Sequence, residues 1–580
     1  MTKSASDASG MAMHPGPARR EGETHMEYGR SGARLLVDAL QLHGVDRVFG
    51  VPGESYLSVL DAMLDTDGAI EFIVCRQEGG AAYMADAYGK MTGRPGICFV
   101  TRGPGACNAS IGLHTAFQDS TPMIMFIGQV GTDVLEREGF QEIDYRRMFG
   151  PVSKWVAQID RADRVAEFVS RAFHTAVSGR PGPVVLVLPE DMQQASSMPV
   201  IARPYTRVSA HPGPAVMQDI ASRLAASKKP LLILGGSGWT KEACQSVAGF
   251  AARLNLPVAC SFRRQDLFDN RDRHYVGDLS PGMNPSLAQR VKDADLLISI
   301  GSRLGELQTA GYSLLDIPMP RQKLIHVLPG AEELGRVYQG DLLINAGLPE
   351  FAAALQALPP VEVAWHDWTA DARRDYEAWQ ETQPQVGTLN LSEVMAYLRD
   401  RLPAESIVTN GAGNYAIWVH RFYRYTGMRT QLAPTSGAMG YGVPAAVAAK
   451  LLEPDRPVLC FAGDGCFMMN GQELATAARY QLKIIFIVIN NGMYGTIRMH
   501  QEREYPGRVS GTMLCNPSFT KLADAYDMHA ERVDRTVDFA PAFERAWAAE
   551  KAALIELTLD PDAISPRTTI SALRAQAKKR

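Results

Sequence analysis

The stretch PVLCFAGDGCFMMNGQELATAARYQLKIIFIVINNGMYG, Pro457 to Gly495, decides the fold. It reads as an apolar strand, a turn with Asp464 between two glycines, the helix NGQELATAARYQ, a second apolar strand and a turn beginning at Asn490. Short runs that are apolar throughout are strands covered on both faces, and a helix between two of them makes a right-handed parallel crossover. The carboxyl ends of both strands then lie side by side, at the edge where open α/β sheets bind ligands. Asp464 and Asn491 are carried there together. Gly463 and Gly465 let the backbone approach closely, and the following helix offers N–H groups and a positive dipole end to an anion. A carboxylate, an amide oxygen and an anion describe a divalent cation holding a diphosphate, with Mg2+ favoured by the all-oxygen donors.

The same strand and helix alternation extends outward in both directions. From Arg30 it runs through VDRVFGVPG, EFIVC, GICFVT and MIMFIGQV and closes at GRPGPVVLVLPED, which gives a first domain at 27–195. A proline-marked connector leads to a second series at 205–355, from KPLLILGGSGW to QKLIHV. After the polar, Trp-containing stretch VAWHDWTADARRDYEAWQETQPQ, read as a helical linker, a third series occupies 385–562. The expected fold is α/β, three consecutive doubly wound parallel-sheet domains, with a disordered lead at 1–26 and a tail at 563–580. The first and third series share a plan.

A chain of 580 residues is too long for one core, which agrees with three domains. Lys and Arg total 59 against 63 Asp and Glu with no long one-sign run, so nothing points to nucleic acid or a membrane surface, and small molecules are the expected ligands. The longest apolar run, IIFIVI, is far too short to span a bilayer. The eight cysteines form no CxxC pair and read as reduced packing residues of a cytoplasmic protein. Twelve histidines without HxH or HExxH spacing argue against a zinc site.

An isolated GDG is an ordinary turn. GDG followed by NN, with 27 residues from Asp464 to Asn491 and a strand before each, resembles the thiamine-diphosphate enzymes. Over residues 27 to about 560 the chain is similar to the acetolactate synthase group, which comprises acetohydroxyacid synthases and related 2-oxoacid carboligases and decarboxylases. The resemblance implies a pyrimidine-binding first domain, a central domain and a diphosphate-binding third domain. It implies metal ligation by Asp464, Asn491 and the carbonyl of Met493, and diphosphate contacts from the loop Gly411, Ala412, Gly413, Asn414 and Tyr415 and from Gly465 and Cys466. Family members often have Gln-His in place of Asn414-Tyr415.

The glutamate that protonates the cofactor's pyrimidine ring in that family matches Glu78 of CRQEGGAAYMADAYGK. Taken alone, Glu78 could be a charge at a helix N-terminus, worth roughly 0.3–1 kcal/mol. TSGAMGYGVPAA supplies Met439 as the apolar side chain under the bent cofactor and the Gly437 carbonyl for its amino group. TRGPGACN corresponds to the family's TSGPGATN loop, and GFQE places Phe140 and Gln141 on the substrate side. Glu78 and Asp464 lie in different domains that the family brings together by pairing two chains, so a homodimer or tetramer with sites at the subunit interface is expected.

Two departures concern the substrate. Glu190 stands in LPED where the family has the lysine of LPKD, and His500 stands where it has a pocket-shaping tryptophan. The central domain keeps LGGSG, Arg303 and Arg180 but not the family's GMHG and RFDDR segments, so FAD is a candidate cofactor on a partial match. The expected activity is decarboxylation of a pyruvate-like 2-oxoacid with carboligation to an acceptor. The alternatives are another thiamine-diphosphate lyase or decarboxylase of this fold and, more remotely, a nucleotide-binding oxidoreductase using GGSGW, which lacks the GxGxxG pattern.

Overall fold

The computed structural model describes residues 29–579. The expected lead at 1–26 lies outside the described residues. Three six-stranded sheets, every strand parallel to its neighbours, follow one another along the chain. In the first the spatial order is Glu71–Val74, Arg47–Gly50, Gly96–Val100, Met123–Gln129, Pro183–Pro189, Trp155–Gln158. In the third it is Gln431–Leu432, Ile407–Asn410, Val458–Gly463, Ile485–Asn490, Ala553–Thr558, His529–Val533. Numbered along the chain, both sheets have the order 2-1-3-4-6-5, so the shared plan is real. The central sheet runs 3-2-1-4-5-6, from Tyr275–Leu279 at one edge to Leu342–Asn345 at the other.

In each sheet the strand order reverses beside its first strand, and that crevice is where the carboxyl ends leave room for a ligand. In the third sheet the flanking strands are Ile407–Asn410 and Val458–Gly463. The loop beginning at Gly411 and the turn carrying Asp464 therefore meet at the crevice.

Three segments differ from the sequence expectation. The helix after the GDG turn begins at Asp464 itself, because extended Gly463 is its cap, and breaks into Asp464–Asn470, a short turn Gly471–Glu473, and Leu474–Arg479. The stretch read as a helical linker forms the helix His366–Trp379, but it belongs to the central domain, with its Tyr376 and the preceding Trp365 buried in that core. Beyond residue 562, expected as a tail, the chain forms a hairpin, Ala563–Ser565 with Thr568–Thr569, and the helix Ile570–Ala577. That helix docks on Gly495–Glu504 through a two-pronged ion pair from Arg574 to the buried Glu502, 2.8 Å in each arm. Glu502 also bonds Arg498, and Ile564 and Ile570 pack against Met493.

The first and third domains share one core. The helix Glu78–Thr92, rich in Ala and Gly on every side, packs against the equally small-residue helix Gly442–Leu452, and both are almost wholly buried. Beside this contact Lys90 bridges Asp86 at 2.8 Å and Asp119, with Tyr441 donating to Asp86 at 2.8 Å. Burial works against the Lys90 charge, and Asp119 and Asp86 outweigh it and raise its pKa. Removing one member of such a cluster leaves the others as uncompensated buried charges. Lys90→Met, close in length but uncharged, is expected to lower stability by about 3–5 kcal/mol, read from the urea midpoint of the interdomain transition; an unchanged midpoint would mean that the cluster is dispensable.

Candidate active site

Asp464 is buried at the end of Val458–Gly463, and its Oδ2 accepts from the Gly492 N–H at 2.9 Å and from Asn516 Nδ2 at 2.7 Å. The same Asn516 amide reaches Asn490 Oδ1 at 3.0 Å, which ties the NN turn to the acid. Asn491 Oδ1 accepts from Met493 N–H at 3.3 Å, so the three sequence-nominated metal ligands belong to one knot of chain. Burial raises the Asp464 pKa, and the groups opposing it are the Asn516 amide and backbone N–H groups of Gly465 and Gly492, none of them a cation. Among the described residues Asp464 pairs with no cation, and a buried carboxylate left so, tied to the turn that carries Asn491, fits a hard divalent ion.

Across the crevice, Gly411 packs so closely on Cys466 that a Cβ would stand 2.4 Å from its sulfur. The Cys466 thiol accepts from Gly440 N–H at 3.2 Å, and Tyr415 Oη accepts from Gly411 N–H at 3.0 Å. Asn414 Nδ2 donates to the Ile564 carbonyl at 3.0 Å, and its Oδ1 accepts from Thr496 at 2.8 Å. The side chains of Asn414, Tyr415 and Cys466 thus brace the loops. Ala412 and Gly413 complete the loop, and Gly413 has φ +141, a conformation that suits glycine. A Cβ on Gly465 would meet the Tyr494 ring at 2.6 Å.

Gly437 has φ +68 with open space where a Cβ would be, and half-buried Met439 follows. Their loop is fastened to the first domain, with Thr435 and Ser436 donating to Asp119 and the Met439 carbonyl accepting from Tyr83 at 3.2 Å. The buried guanidinium of Arg263, from the central domain, donates to the carbonyls of Gly411, at 2.8 Å, and Pro434. One cation therefore fixes the spacing of the loops that follow two neighbouring strands, Ile407–Asn410 and Gln431–Leu432.

Glu78 opens its helix half-exposed, and Asn108 donates to its Oε2 at 2.9 Å. Gly103 N–H donates to the Gln141 carbonyl at 2.9 Å, which ties the TRGPG and GFQE loops together, and Phe140 is 70% exposed next to them. His500 is exposed on the helix Gly495–Glu504. Among the described residues no hydrogen bond or ion pair joins the Glu78 side chain to the Asp464 knot of the same chain.

Sequence reading missed Asn516, Arg263 and Glu473. Fully buried Glu473 accepts from the backbone N–H groups of Arg76 at 3.0 Å and Gln77 at 3.1 Å, just before Glu78. Burial raises its pKa against the pull of Thr476 and those N–H groups. The NGQE segment carries the signal, nine residues after Asp464, but its partner lies nearly four hundred residues upstream.

A second cleft, of about 650 Å3, opens beside the central sheet and is lined by Gly236, Ser302, Arg303, Arg180, Arg336 and Phe117 among others. Gly236 and Gly301 touch across its switch point, where a Cβ on Gly236 would stand 2.1 Å from the Gly301 carbonyl. Glycines at the strand ends with arginines around them suit a diphosphate-bearing ligand.

Parallel sheets with an acid and an NN turn tied together at the carboxyl edge of the third define an α/β protein with a ligand crevice at that edge. Comparison with known proteins is specific: the chain belongs to the thiamine pyrophosphate enzymes, matching their N-terminal TPP binding domain at residues 30–148, central domain at 217–356 and C-terminal TPP binding domain at 411–557. It is 31% identical over 537 residues to the acetolactate synthase isozyme 2 large subunit of Escherichia coli K12, covering 91% of this chain and 96% of that protein. It is 33% identical to the acetolactate synthase large subunit of Parasynechococcus marenigrum (87% and 83% covered) and 30% identical to a probable one from Methanocaldococcus jannaschii (91% and 92%).

Glu473→Gln keeps the size but replaces one acceptor oxygen with an N–H2 group facing backbone donors. Turnover is expected to fall at least tenfold, the scale of losing about 1.5–3 kcal/mol of charged hydrogen bonding, while cofactor affinity stays within twofold. Equal losses in both would show that Glu473 serves the fold as a whole rather than the placement of Glu78.

Proposed function

We propose that the protein decarboxylates a pyruvate-like 2-oxoacid with thiamine diphosphate and Mg2+ and joins the remaining fragment to an acceptor carbonyl, the reaction type of an acetolactate synthase. The carrying observation is the knot at the third-sheet switch point, where Asp464, Asn491 and Met493 converge opposite the 411–415 loop. In this reading Asp464, Asn491 and the Met493 carbonyl hold Mg2+. The backbone of Gly411 to Gly413 and the residues after Asp464 receive the diphosphate. Bound thiamine diphosphate would supply the carbon nucleophile and take up the electron pair released when CO2 leaves. Met439 would pack against the bound cofactor, the Gly437 carbonyl would orient its amino group, and Glu78 would exchange a proton with the pyrimidine ring. Phe140, Gln141 and His500 face the substrate.

Glu78 bonds within its own domain, so pairing of two chains is part of the reading. Met468 and Met469, on the helix of Asp464, and Ile111, on the helix of Asn108, are 42–48% exposed and would be covered in such a dimer. Among the described residues no helix is long and apolar enough to cross a membrane. All eight cysteines are unpaired, which supports a cytoplasmic setting. FAD is the candidate for the central cleft. A lyase of this fold that forms no acetolactate is the second reading, favoured by Glu190 and His500 at substrate-side positions.

Purified protein with thiamine diphosphate and Mg2+ is expected to release CO2 from pyruvate or a close 2-oxoacid, and Asp464→Ala to lose cofactor retention; no CO2 from any 2-oxoacid would refute the reading. Glu78→Gln should keep the cofactor and lose roughly 10²–10⁴-fold in turnover. Mixed dimers of the two variants should regain activity, because one of their two sites has both residues intact, and verified but inactive mixed dimers would refute the shared site. Flavin absorbance in the purified protein checks FAD, and a colourless sample with no response to added FAD removes it.

A further inference from the structure

Arg102 immediately precedes the helix Gly103–Asp119, at the carboxyl end of Gly96–Val100. Its guanidinium is 8% exposed, with Nη1 3.0 Å from Glu54 and Nη2 paired to Glu190. Those carboxylates also follow strands of the first sheet, Arg47–Gly50 and Pro183–Pro189. The exposed Phe140 ring covers the guanidinium at 5.9 Å, and the buried Arg102 Nε has no acceptor among the described residues. The loop reaches Glu78 directly. A Cβ on Gly105 would stand 3.4 Å from Glu78 Oε1, and Gly103 N–H holds Gln141. Burial works against the Arg102 charge, and Glu190 and Glu54 outweigh it and raise its pKa.

One cation held by two carboxylates leaves this wall with a net negative charge. Paired on both sides, Arg102 has no charge to spare for another carboxylate. Residues 102 and 190 thereby explain each other: where the resembled family has the lysine of LPKD and the serine of TSGPGATN, this chain has Glu190 and Arg102, an acid and its counter-ion. Building on the function proposed above, we propose that the Arg102, Glu54 and Glu190 cluster selects a neutral acceptor, an aldehyde, over a second 2-oxoacid. The bond between donor carboxylate and carbonyl carbon breaks, its electron pair forms the new bond to the acceptor carbonyl carbon, and the acceptor oxygen takes one proton. The products are CO2 and a neutral 2-hydroxy ketone. The donor sheds its charge as CO2, whereas an acceptor carboxylate would stay in the site through bond formation, so the wall discriminates at the acceptor.

The test is a competition in one vessel: holoenzyme, the best 2-oxoacid donor, and equal concentrations of acetaldehyde and 2-oxobutyrate, with CO2 and both condensation products quantified. The aldehyde product is expected to dominate. Glu190→Lys, and independently Glu190→Gln with Glu54→Gln, should move the product ratio toward the 2-oxobutyrate adduct by about tenfold per unit of charge. A ratio cancels any general loss of activity, and the neutral double variant covers the case in which the lysine variant does not fold. CO2 release with the 2-oxobutyrate adduct dominant, or a ratio that no variant moves, overturns this inference alone. CO2 release with neither adduct refutes carboligation and the inference with it, and no CO2 from any donor refutes the whole functional reading.

Discussion

The structure depends on how one helix, Glu78–Thr92, is pinned to the third domain. At its far end Lys90 is locked between Asp86 and Asp119 with Tyr441 alongside, in its middle Tyr83 donates to the Met439 carbonyl, and at its start Glu473 gathers the N–H groups before Glu78. Twelve residues of helix span about 18 Å, so three fixings along that rod leave Glu78 little freedom of position. Glycine and alanine on its buried faces make this close approach possible. A Cβ on Gly80 would come within 2.5 Å of the Glu473 carboxylate.

The buried charges are compensated in four different ways. Lys90 has carboxylates, Arg263 has backbone carbonyls, Glu473 has backbone N–H groups, and Asp464 has an amide and N–H groups. The first two sets counter a positive charge. Glu473 is saturated at a helix start, where the dipole favours an anion. Asp464 is bonded yet, among the described residues, has no cation beside it, and its place at the switch point separates it from the structural acid nine residues later. Of these neighbouring acids Glu473 braces the backbone, which leaves Asp464 for the ligand role proposed above.

Much of this was legible in the sequence because strands buried on both faces and glycine-bounded turns leave local signals. The runs VLCFAG and IIFIVI located two adjacent strands, and the turns after them placed Asp464 and Asn491. What escaped was long-range polar pairing. Asn516 sits on an irregular segment with no periodicity, and Arg263 looks like any arginine until its carbonyl partners on another domain are known. The helical character of His366–Trp379 is legible, but its highly charged surface reads as a linker between domains, whereas Trp365 and Tyr376 anchor it in the central core. Asn414 and Tyr415 came from a resemblance to a loop that binds diphosphate, and here their side chains brace that loop.

The hairpin and helix at 563–577 touch the crevice through Asn414 and Met493. These residues leave the ribosome after every strand of the third sheet has been made. All three sheets can therefore close while the turn around Met493 still lacks its apolar backing and Glu502 its arginine clamp. Competence to load a cofactor would then arise as a late step of biogenesis, so that nascent or truncated chains would be compact yet unable to capture it.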